Sequence, residues 1–360
     1  MKFVFTGGGS AGHVTPNIAI MNEIRKLQED YSFDYIGSEN GIEKEIIGNI
    51  ADVTYHGIRT GKLRRYFSLK NFTDPFKVLL GYKDAVNILK RLKPDAVFSK
   101  GGFVSVPVVY AARKLKIPVI AHESDMTPGL ANKLSKKCAS KICVTFPETL
   151  SHLPENLGVL TGSPIRSELL SGNASKARSM LHFDNKPVIL VMGGSLGSVA
   201  INKAIRENLA LLTEKYNIIH LCGKNNLDES VGRQSNTIFL SYKQFEFITD
   251  ELPDFLALAD FVVSRAGANA IHEFLALHKP MLLIPLSAKA SRGDQILNSE
   301  SFAKRKFALV LQEEDVTSDT LMESIKKLTS NRDSMIEAMK ADTSVLGAAE
   351  KIAKMLVNIQ

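Results

Sequence analysis

The stretch MKFVFTGGGSAGHV, residues 1–14, decides the fold of this chain. Residues 2–6 form a mostly apolar run that stops at three glycines, which predicts a buried strand ending in a turn. From Val14 onward the apolar residues recur at helical spacing, and Pro16 is tolerated because it lies in the first turn. The chain therefore begins with a strand, a glycine-rich turn and a helix.

The glycine-rich turn suits an anion or a polar substrate. A helix start carries unpaired N–H groups and the positive end of the helix dipole, and glycines let a ligand approach the backbone closely. His13 stands among these amides, and its side chain accepts a proton near neutral pH. The structural alternative is that His13 caps the helix or packs against it.

The same turn also satisfies the dinucleotide-binding fingerprint G-x-G-x-x-G, with Gly7, Gly9 and Gly12, which would indicate a dehydrogenase. That fingerprint needs an acidic residue at the end of the second strand to hold a ribose. Here the second predicted strand, 33–36, ends in Gly-Ser, and Glu39 comes late. A nicotinamide-dependent dehydrogenase is therefore the weaker interpretation.

The pattern of strand, glycine-rich turn and helix recurs, which indicates two Rossmann-like halves in tandem. Residues 93–100 predict a strand that ends in the glycines of 101–105. Residues 186–192 predict another, which ends in the glycines of 193–197. Helices are predicted over 108–115 and 200–215, further strands over 117–121, 141–145, 218–223, 238–240, 261–264 and 280–285, and two amphipathic helices from Thr317 onward.

We expect an N-terminal domain over residues 1–160, a C-terminal domain over 161–340, and a C-terminal helix over 341–360 that packs back on the body. The break falls where glycines and a proline between 157 and 166 form a connector. Parallel strands all end at one edge of a sheet, and ligands bind there. The glycine-rich turns of each domain should therefore line one edge.

The charge excess is confined to the first half of the chain. Residues 1–160 carry 22 Lys and Arg against 15 Asp and Glu, whereas the remaining 200 residues carry 23 of each. A one-sided basic field indicates an anionic partner, whether nucleic acid, a phosphorylated substrate or acidic lipid. Nucleic acid is the weaker choice, because no recognised nucleic-acid-binding motif is present.

Cysteine usage and hydropathy suggest where the protein works. Cys138, Cys143 and Cys222 form neither a C-x-x-C pair nor a metal-ligand grouping, which favours a reducing compartment. The sequence shows no signal peptide, and no apolar run reaches the roughly 18 residues of a membrane span. We therefore expect a cytoplasmic protein that meets a membrane only from its surface.

Residues 55–82 depart from the strand–helix rhythm and mix cations with aromatic and aliphatic side chains. In an interfacial segment the rings enter the headgroup boundary and the cations meet anionic lipid. The alternative is a loop followed by a core helix with a solvated basic face. The predicted membrane patch consists of Arg64, Arg65, Tyr66, Phe67, Phe72 and Phe76.

Two side chains of the second half suit a ribose or another sugar. Glu273 follows small residues at a predicted helix start, and a carboxylate can accept hydrogen bonds from two vicinal hydroxyls. Gln295 can donate to and accept from sugar hydroxyls at once. The alternative for Glu273 is an ordinary exposed helix residue.

Six motifs together carry a resemblance to a known family. They are GGGSAGH at 7–13, GGFVS at 101–105, HE at 122–123, GSPIR at 162–166, GGSLG at 193–197, and RAGA at 265–268 with Glu273. In this order, over essentially the whole chain, they closely resemble the MurG family of GT-B glycosyltransferases. The resemblance implies an α/β fold of GT-B type, with two Rossmann-like domains whose parallel sheets face across a cleft, and no cofactor.

The resemblance also implies substrates and their contacts. Members of this family transfer N-acetylglucosamine from UDP-N-acetylglucosamine to lipid I, giving lipid II for peptidoglycan. The diphosphate would meet Ser195, the uracil Ile248, and the sugar hydroxyls Gln295. The implied donor contacts are Ser10, Ala11, Gly12, Arg166, Ser195, Ile248, Ala268, Asn269, Ala270, Ile271, His272, Glu273 and Gln295.

Lipid I would be held by the N-terminal domain of a peripheral protein on the cytoplasmic side of the cell membrane. Two positions depart from the family pattern: Phe103 lacks the hydroxyl of the usual Tyr, and Asp125 replaces an Asn and loses donor capacity when ionised. The implied acceptor residues are Gly8, Gly9, Gly101, Gly102, Phe103, Glu123 and Asp125.

The implied reaction is a single displacement with inversion, in which His13 is the base and two helix starts, near Ser195 and after Gly267, stabilise the leaving diphosphate. No Asp-x-Asp pair occurs in the sequence, so we expect no metal. The implied partners are UDP-N-acetylglucosamine, lipid I, anionic lipid and cell-wall synthesis proteins. The alternatives are another GT-B transferase with a glycolipid or soluble acceptor, a dehydrogenase, and a non-catalytic lipid-surface protein.

Overall fold

The computed structural model describes residues 1–27, 30–61, 70–194, 196–231, 236–289, 291–343 and 347–359. The chain divides into two compact units. The first unit is Met1–Arg166 together with Ser344–Gln360, and the second is Ser167–Thr343. Among the described residues, no helix combines the length and the apolarity that a membrane crossing requires.

The described part of the first unit forms a seven-stranded parallel sheet, in the order β3-β2-β1-β4-β5-β6-β7. Its strands are β1 (Lys2–Thr6), β2 (Ser32–Ser38), β3 (Val53–Ile58), β4 (Ala96–Ser99), β5 (Val119–Glu123), β6 (Lys141–Val144) and β7 (Gly158–Leu160). Its helices are α1 (Thr15–Leu27), α2 (Ile42–Gly48), α3 (Lys70–Leu92), α4 (Ser105–Lys114), α5 (Leu130–Ser135) and, from the C-terminus, α15 (Ala348–Val357).

Strand β1 lies inside this sheet, between β2 and β4. Phe3 pairs with Phe33 on one side and with Ala96 on the other. Because helices cover both faces of a parallel sheet, its strands are continuous apolar runs. One face packs on α1 and α15, where Ile24 and Leu356 join Phe3 in one buried cluster. The C-terminal helix therefore completes the core of the first unit.

The described part of the second unit forms a six-stranded parallel sheet, in the order β10-β9-β8-β11-β12-β13. Its strands are β8 (Val188–Met192), β9 (Asn217–Leu221), β10 (Tyr242–Phe245), β11 (Phe261–Ser264), β12 (Met281–Leu283) and β13 (Ala308–Val310). Its helices are α6 (Ala174–Leu181), α7 (Val199–Glu207), α8 (Leu209–Lys215), α9 (Asn236–Ser241), α10 (Leu252–Leu258), α11 (Ala268–Ala276), α12 (Asp294–Lys304), α13 (Ser318–Ser330) and α14 (Arg332–Lys340). The two sheets confirm the predicted α/β class.

The predicted strand at 238–240 is wrong. These residues lie in helix α9, and strand β10 begins only at Tyr242. A run of three apolar residues fits a strand and a short helix equally well. Within α9, the side chain of Ile238 is buried in the core, whereas that of Leu240 is exposed.

Two predicted helical regions are divided further than expected. The helix predicted over 200–215 is two helices, α7 and α8, because Asn208 interrupts it and its Nδ2 donates to the carbonyl of Ala204 (2.8 Å). The region after Thr317 contains three described helices, α13, α14 and α15, instead of two. Strands β3, β7 and β13 and helices α2, α5, α6, α10 and α12 were not predicted.

Candidate active site

The first glycine-rich turn joins β1 to α1 through a single 3-10 turn, Ala11–His13. Gly7 has no room for a side chain, because a Cβ there would lie 2.5 Å from the carbonyl oxygen of His13. The hydroxyl of Tyr35 donates to the carbonyl of Gly7 (2.7 Å), and Nδ2 of Asn17 donates to that hydroxyl (3.0 Å). Strand β2 and helix α1 together hold His13 at the carboxyl edge of the sheet.

The second glycine-rich turn, between β4 and α4, lies directly against the first. A Cβ on Gly102 would overlap the carbonyl oxygen of Gly8. A Cβ on Gly9 would lie 2.8 Å from Cε1 of Phe103. The structure therefore brings these four predicted acceptor residues together in one place.

The imidazole of His13 is half-buried beside Ser10, whose Oγ lies 2.9 Å from Nδ1. Burial and then the positive charge of Lys100 lower the pKa of His13 to about 4, while Glu43 acts in the opposite direction. The imidazole is therefore neutral at pH 7. When Nδ1–H donates to Ser10, the lone pair that can accept a proton is on Nε2.

Glu123 ends β5 and is buried. Its carboxylate accepts hydrogen bonds from the amides of Asp125 (3.1 Å) and Gly129 (2.8 Å) and from Nδ2 of Asn132 (2.9 Å). A Cβ on Gly101 would lie 3.6 Å from the same Nδ2 of Asn132. Glu123 thus ties the loop after β5 to the second glycine-rich turn, and half-buried Asp125 is the more accessible of the two acidic residues.

In the second unit, the predicted donor residues that are described follow the carboxyl ends of the strands. Ile248 follows β10, Glu273 lies in α11 after β11, and Gln295 lies in α12 after β12. Open parallel sheets bind ligands at this edge. Helix α11 begins at Ala268, and its N-cap is Gly267, which has no side chain to cap the amides of the first turn.

The side chains of residues 268–273 face two ways. Ala268, Ile271 and His272 are buried, whereas Asn269, Ala270 and Glu273 are half-buried. The ring of His272 packs against Phe302 with centroids 4.9 Å apart, and its Nδ1 lies 2.8 Å from the carbonyl oxygen of Ala268. The imidazole of His272 belongs to the core of the unit. Only the backbone of His272 can therefore make the predicted contact with the donor substrate.

These buried imidazoles lead to a prediction about acid stability. Burial lowers the pKa of His220 to about 3 and that of His272 to about 4. In the unfolded chain the same imidazoles have pKa values near 6.5 and bind protons more readily. Their contribution to the free energy of unfolding is therefore fully present above pH 6.5 and is lost as the pH decreases toward 4. Each histidine should cost about 2 kcal/mol of unfolding free energy between pH 7 and pH 5, measured by urea denaturation.

A matched variant separates this effect from general acid sensitivity. His182 is exposed in the same unit and adopts a left-handed backbone conformation that Asn tolerates, so His182→Asn should keep the full pH dependence. Equal unfolding free energies at pH 7 and pH 5 would contradict neutral burial of His220 and His272.

Arg265 links loops at the carboxyl edge of the second unit's sheet. Its guanidinium donates to Oγ of Ser198 (2.7 Å) and to the carbonyl of Ile284 (3.1 Å), and it forms an ion pair with Glu313. Ser198 is the N-cap of α7. Arg265 therefore fixes the start of α7 against the loop that follows β12.

Other predicted site residues are distributed as follows. In the first turn, Ser10 and Ala11 are exposed and Gly12 is half-buried. Arg166 is half-buried and is the last residue of the first unit's main segment. In the second unit, Oε1 of Gln295 accepts from the amide of Leu286 (3.0 Å). Phe76, on α3, is 70% exposed. Ser195, Arg64, Arg65, Tyr66 and Phe67 lie outside the described residues, as does the side chain of Phe72.

Sequence reasoning missed two charged residues beside the first turn, Glu43 and Lys100. Both are almost fully buried. The carboxylate of Glu43 accepts from the amide of Gly9 (3.2 Å), and Nζ of Lys100 donates to Oγ of Ser124. The available signal was a lysine directly at the end of an apolar strand, where a charge is unusual. Within the described ranges, no group of three His, Cys, Asp or Glu side chains could hold a metal ion.

Comparisons with known proteins agree with this architecture. The sequence matches the glycosyltransferase family 28 N-terminal domain over residues 3–144 and the C-terminal domain of the same family over residues 188–356. The crystal structure of Acinetobacter baumannii MurG is similar, with 25% identity, a TM-score of 0.74 and coverage of 99% of each chain.

Two clostridial relatives are closer in sequence. A protein of Clostridium botulinum (strain Alaska E43 / Type E3) is 58% identical over 339 residues, which cover 94% of this chain and 92% of the relative. A protein of Clostridium novyi (strain NT) is 53% identical over 357 residues, which cover 99% of this chain and 98% of the relative. Both are named UDP-N-acetylglucosamine–N-acetylmuramyl-(pentapeptide) pyrophosphoryl-undecaprenol N-acetylglucosamine transferase.

These matches confirm the resemblance that the six motifs indicated. The two family domains cover most of the chain; the first match spans strands β1–β6 from residue 3 onward, and the second spans strands β8–β13. The chain belongs to glycosyltransferase family 28.

Proposed function

We propose that this chain transfers N-acetylglucosamine from UDP-N-acetylglucosamine to the C4 hydroxyl of N-acetylmuramic acid in lipid I, forming the β-1,4 link of lipid II in peptidoglycan synthesis. The observation that carries this proposal is 58% identity, over nearly the full length, with a relative named as this transferase. The chemistry of the two strand edges supports it.

The second unit is suited to the donor. Helix starts attract phosphate through their N–H groups and dipole, and α7 and α11 both start at the carboxyl edge of the sheet. Half-buried Glu273 lies five residues after Ala268, the start of α11, where its carboxylate can accept from both ribose hydroxyls. We assign the diphosphate to these helix starts, together with Ser195, and the uracil to the loop at Ile248.

The first unit is suited to the acceptor and to proton transfer. The oxygen of the acceptor hydroxyl forms a bond to the anomeric carbon, the bond from that carbon to the phosphate oxygen breaks, and UDP leaves with the electron pair. The hydroxyl proton goes to Nε2 of His13, which is neutral at pH 7 and therefore able to accept it. Attack from the face opposite the leaving group inverts the anomeric configuration.

Exposed apolar side chains on the first unit support peripheral attachment to the cytoplasmic face of the membrane. Phe76, Leu79 and Leu80 are exposed on α3, and Leu130 and Leu134 are exposed on α5. Helix α4 packs between them, contacting both α3 and α5. The nearby cations Lys77, Lys133 and Lys137 are also exposed. Apolar groups that enter the headgroup boundary beside cations favour anionic lipid.

We expect Phe76→Ser/Leu79→Ser to weaken binding to anionic vesicles about tenfold or more, because two large apolar side chains no longer leave water. Co-sedimentation with phosphatidylglycerol-containing vesicles measures this. Leu211→Ser, at an exposed leucine of α8 in the second unit, is the control and should bind like the parent. Unchanged co-sedimentation of the double variant would contradict this membrane surface.

The transferase proposal is tested with labelled UDP-N-acetylglucosamine and lipid I in vesicles, following the label into lipid II. Parallel reactions offer a soluble N-acetylmuramic acid glycoside, or NAD in place of the donor. Transfer to lipid I alone supports the proposal. Transfer only to the soluble glycoside indicates a GT-B enzyme with another acceptor, and vesicle binding without donor consumption indicates a non-catalytic lipid-surface protein.

A further inference from the structure

Glu43 is a buried acidic residue whose carboxylate is fully engaged with the strand edge. Its Oε1 accepts from the amide (2.9 Å) and the hydroxyl (2.5 Å) of Ser38, at the end of β2. Its Oε2 accepts from the amide of Gly9, in the first glycine-rich turn, 34 residues away in sequence (3.2 Å). One side chain of α2 therefore joins the end of β2 to the turn that precedes His13.

The glycines around Glu43 leave space for that carboxylate. A Cβ on Gly8 would lie 2.6 Å from Oε1 of Glu43, and a Cβ on Gly37 would lie 2.8 Å from its Cγ. A Cβ on Gly41 would overlap the carboxylate itself. Because three separate glycines make room for one side chain, the position of the carboxylate is closely specified.

Lys100 occupies the opposite side of the same turn. Its backbone amide donates to the carbonyl of Thr6 at the end of β1 (2.9 Å), and its Cβ would be 3.2 Å from a Cβ on Gly7. Lys100 is 2% exposed, and its ammonium donates to Oγ of Ser124. Burial lowers the pKa of Lys100 to about 8, and Glu123 and Asp125 oppose that change, so the group is mostly charged at pH 7.

We propose that Glu43 and Lys100 are positioning residues, which fix the first glycine-rich turn from both sides and place opposite charges beside His13. This inference rests on the proposed function only where it concerns turnover.

The two charges have opposite effects on His13. The ammonium of Lys100 repels a second proton nearby, whereas the carboxylate of Glu43 attracts one. Tyr35, whose hydroxyl donates to Gly7, is the remaining titratable group from β2 at this turn, and its pKa is raised well above its usual range, so it stays neutral. Removing one charge at a time should therefore move the titration of His13 in opposite directions.

The test uses Lys100→Met and Glu43→Gln in the full chain, with the imidazole carbons labelled and the His13 signal assigned by its loss in His13→Asn. Titration followed by NMR should show the pKa of His13 raised in Lys100→Met and lowered in Glu43→Gln, each by about half a pH unit or more. A role limited to folding would not give shifts of opposite sign. Two exposed residues, Glu45 on α2 and Lys90 on α3, supply the controls Glu45→Gln and Lys90→Met, which should leave the titration unchanged.

Activity gives a second readout. In Glu43→Gln a single amide oxygen replaces two accepting oxygens, so the hydrogen bonds to Gly9 and to Ser38 can no longer both form and the turn shifts. We expect kcat to fall at least tenfold while KM for UDP-N-acetylglucosamine stays close to that of the parent. In both variants, the acidic limb of the pH dependence of kcat/KM should move in the same direction as the pKa of His13 measured by NMR.

The outcomes separate this inference from the proposed function. Opposite NMR shifts with no change in the acidic limb would support the inference and remove His13 as the base. Shifts that are absent, or of the same sign in both variants, would overturn the inference whatever the activity.

Discussion

Replacement of His13 by alanine is expected to lower kcat about 10²–10⁴-fold, because the acceptor hydroxyl then loses the base that removes its proton. Affinity for UDP-N-acetylglucosamine should change little, since we assign the nucleotide to the loops of the second unit. Single-turnover transfer to lipid I measures the first quantity, and calorimetric titration with the donor measures the second.

His152→Ala is the matched control for this experiment. His152 is an exposed histidine of the same unit, and its loss should leave kcat unchanged. Turnover of His13→Ala equal to that of the parent would eliminate His13 as the base. A parallel loss of donor affinity would instead mean that His13 belongs to the nucleotide site.

The second large effect is expected at Gly102, where the two glycine-rich turns meet. Its backbone has φ +83, a conformation that L side chains rarely adopt, and a Cβ would overlap the carbonyl oxygen of Gly8. Gly102→Ala must therefore displace the first turn, and a displacement of about 1 Å at a reacting group can cost 10²-fold in rate. We expect transfer to lipid I to fall about 100-fold or more.

Gly48→Ala controls for the loss of a glycine as such. Gly48 ends α2, and a Cβ there would meet nothing within 4 Å. This variant should retain full activity, and both variants should keep the calorimetric affinity for UDP-N-acetylglucosamine. If Gly102→Ala were as active as Gly48→Ala, the contact between the two turns would have no part in catalysis.

The central strands could be predicted from sequence because parallel strands are buried on both faces. The residues predicted for β1, 2–6, and for β11, 261–264, agree with the observed strands at both ends. Each is an apolar run that stops at small or glycine residues, and that contrast marks the edge of the sheet. The turns that follow could be located for the same reason.

The short and the peripheral elements could not be predicted in this way. Residues 238–240 fit a strand pattern, yet they form a helical turn, because three apolar residues carry too little periodicity to distinguish the two. Strands β7 and β13 have three residues each and present almost no pattern. Their place in the sheet comes from pairing with a neighbouring strand, β6 for β7 and β12 for β13.

The charged residues around His13 were missed for a different reason. Glu43 is a typical exposed helix residue by sequence, and its burial depends on Ser38 and on Gly9, which is distant along the chain. The ammonium of Lys100 finds its hydrogen-bond partner, Ser124, in the loop after β5, which is also distant along the chain. Such contacts are set by the tertiary fold, whereas the glycine motifs are set by local backbone requirements.

The most direct test of the account is a crystal structure with UDP-N-acetylglucosamine bound. We predict the diphosphate at the starts of α7 and α11, the ribose beside Glu273 and the uracil at the loop that contains Ile248. Nucleotide bound only beside Gly9 in the first unit, with the strand edge of the second unit empty, would contradict the account.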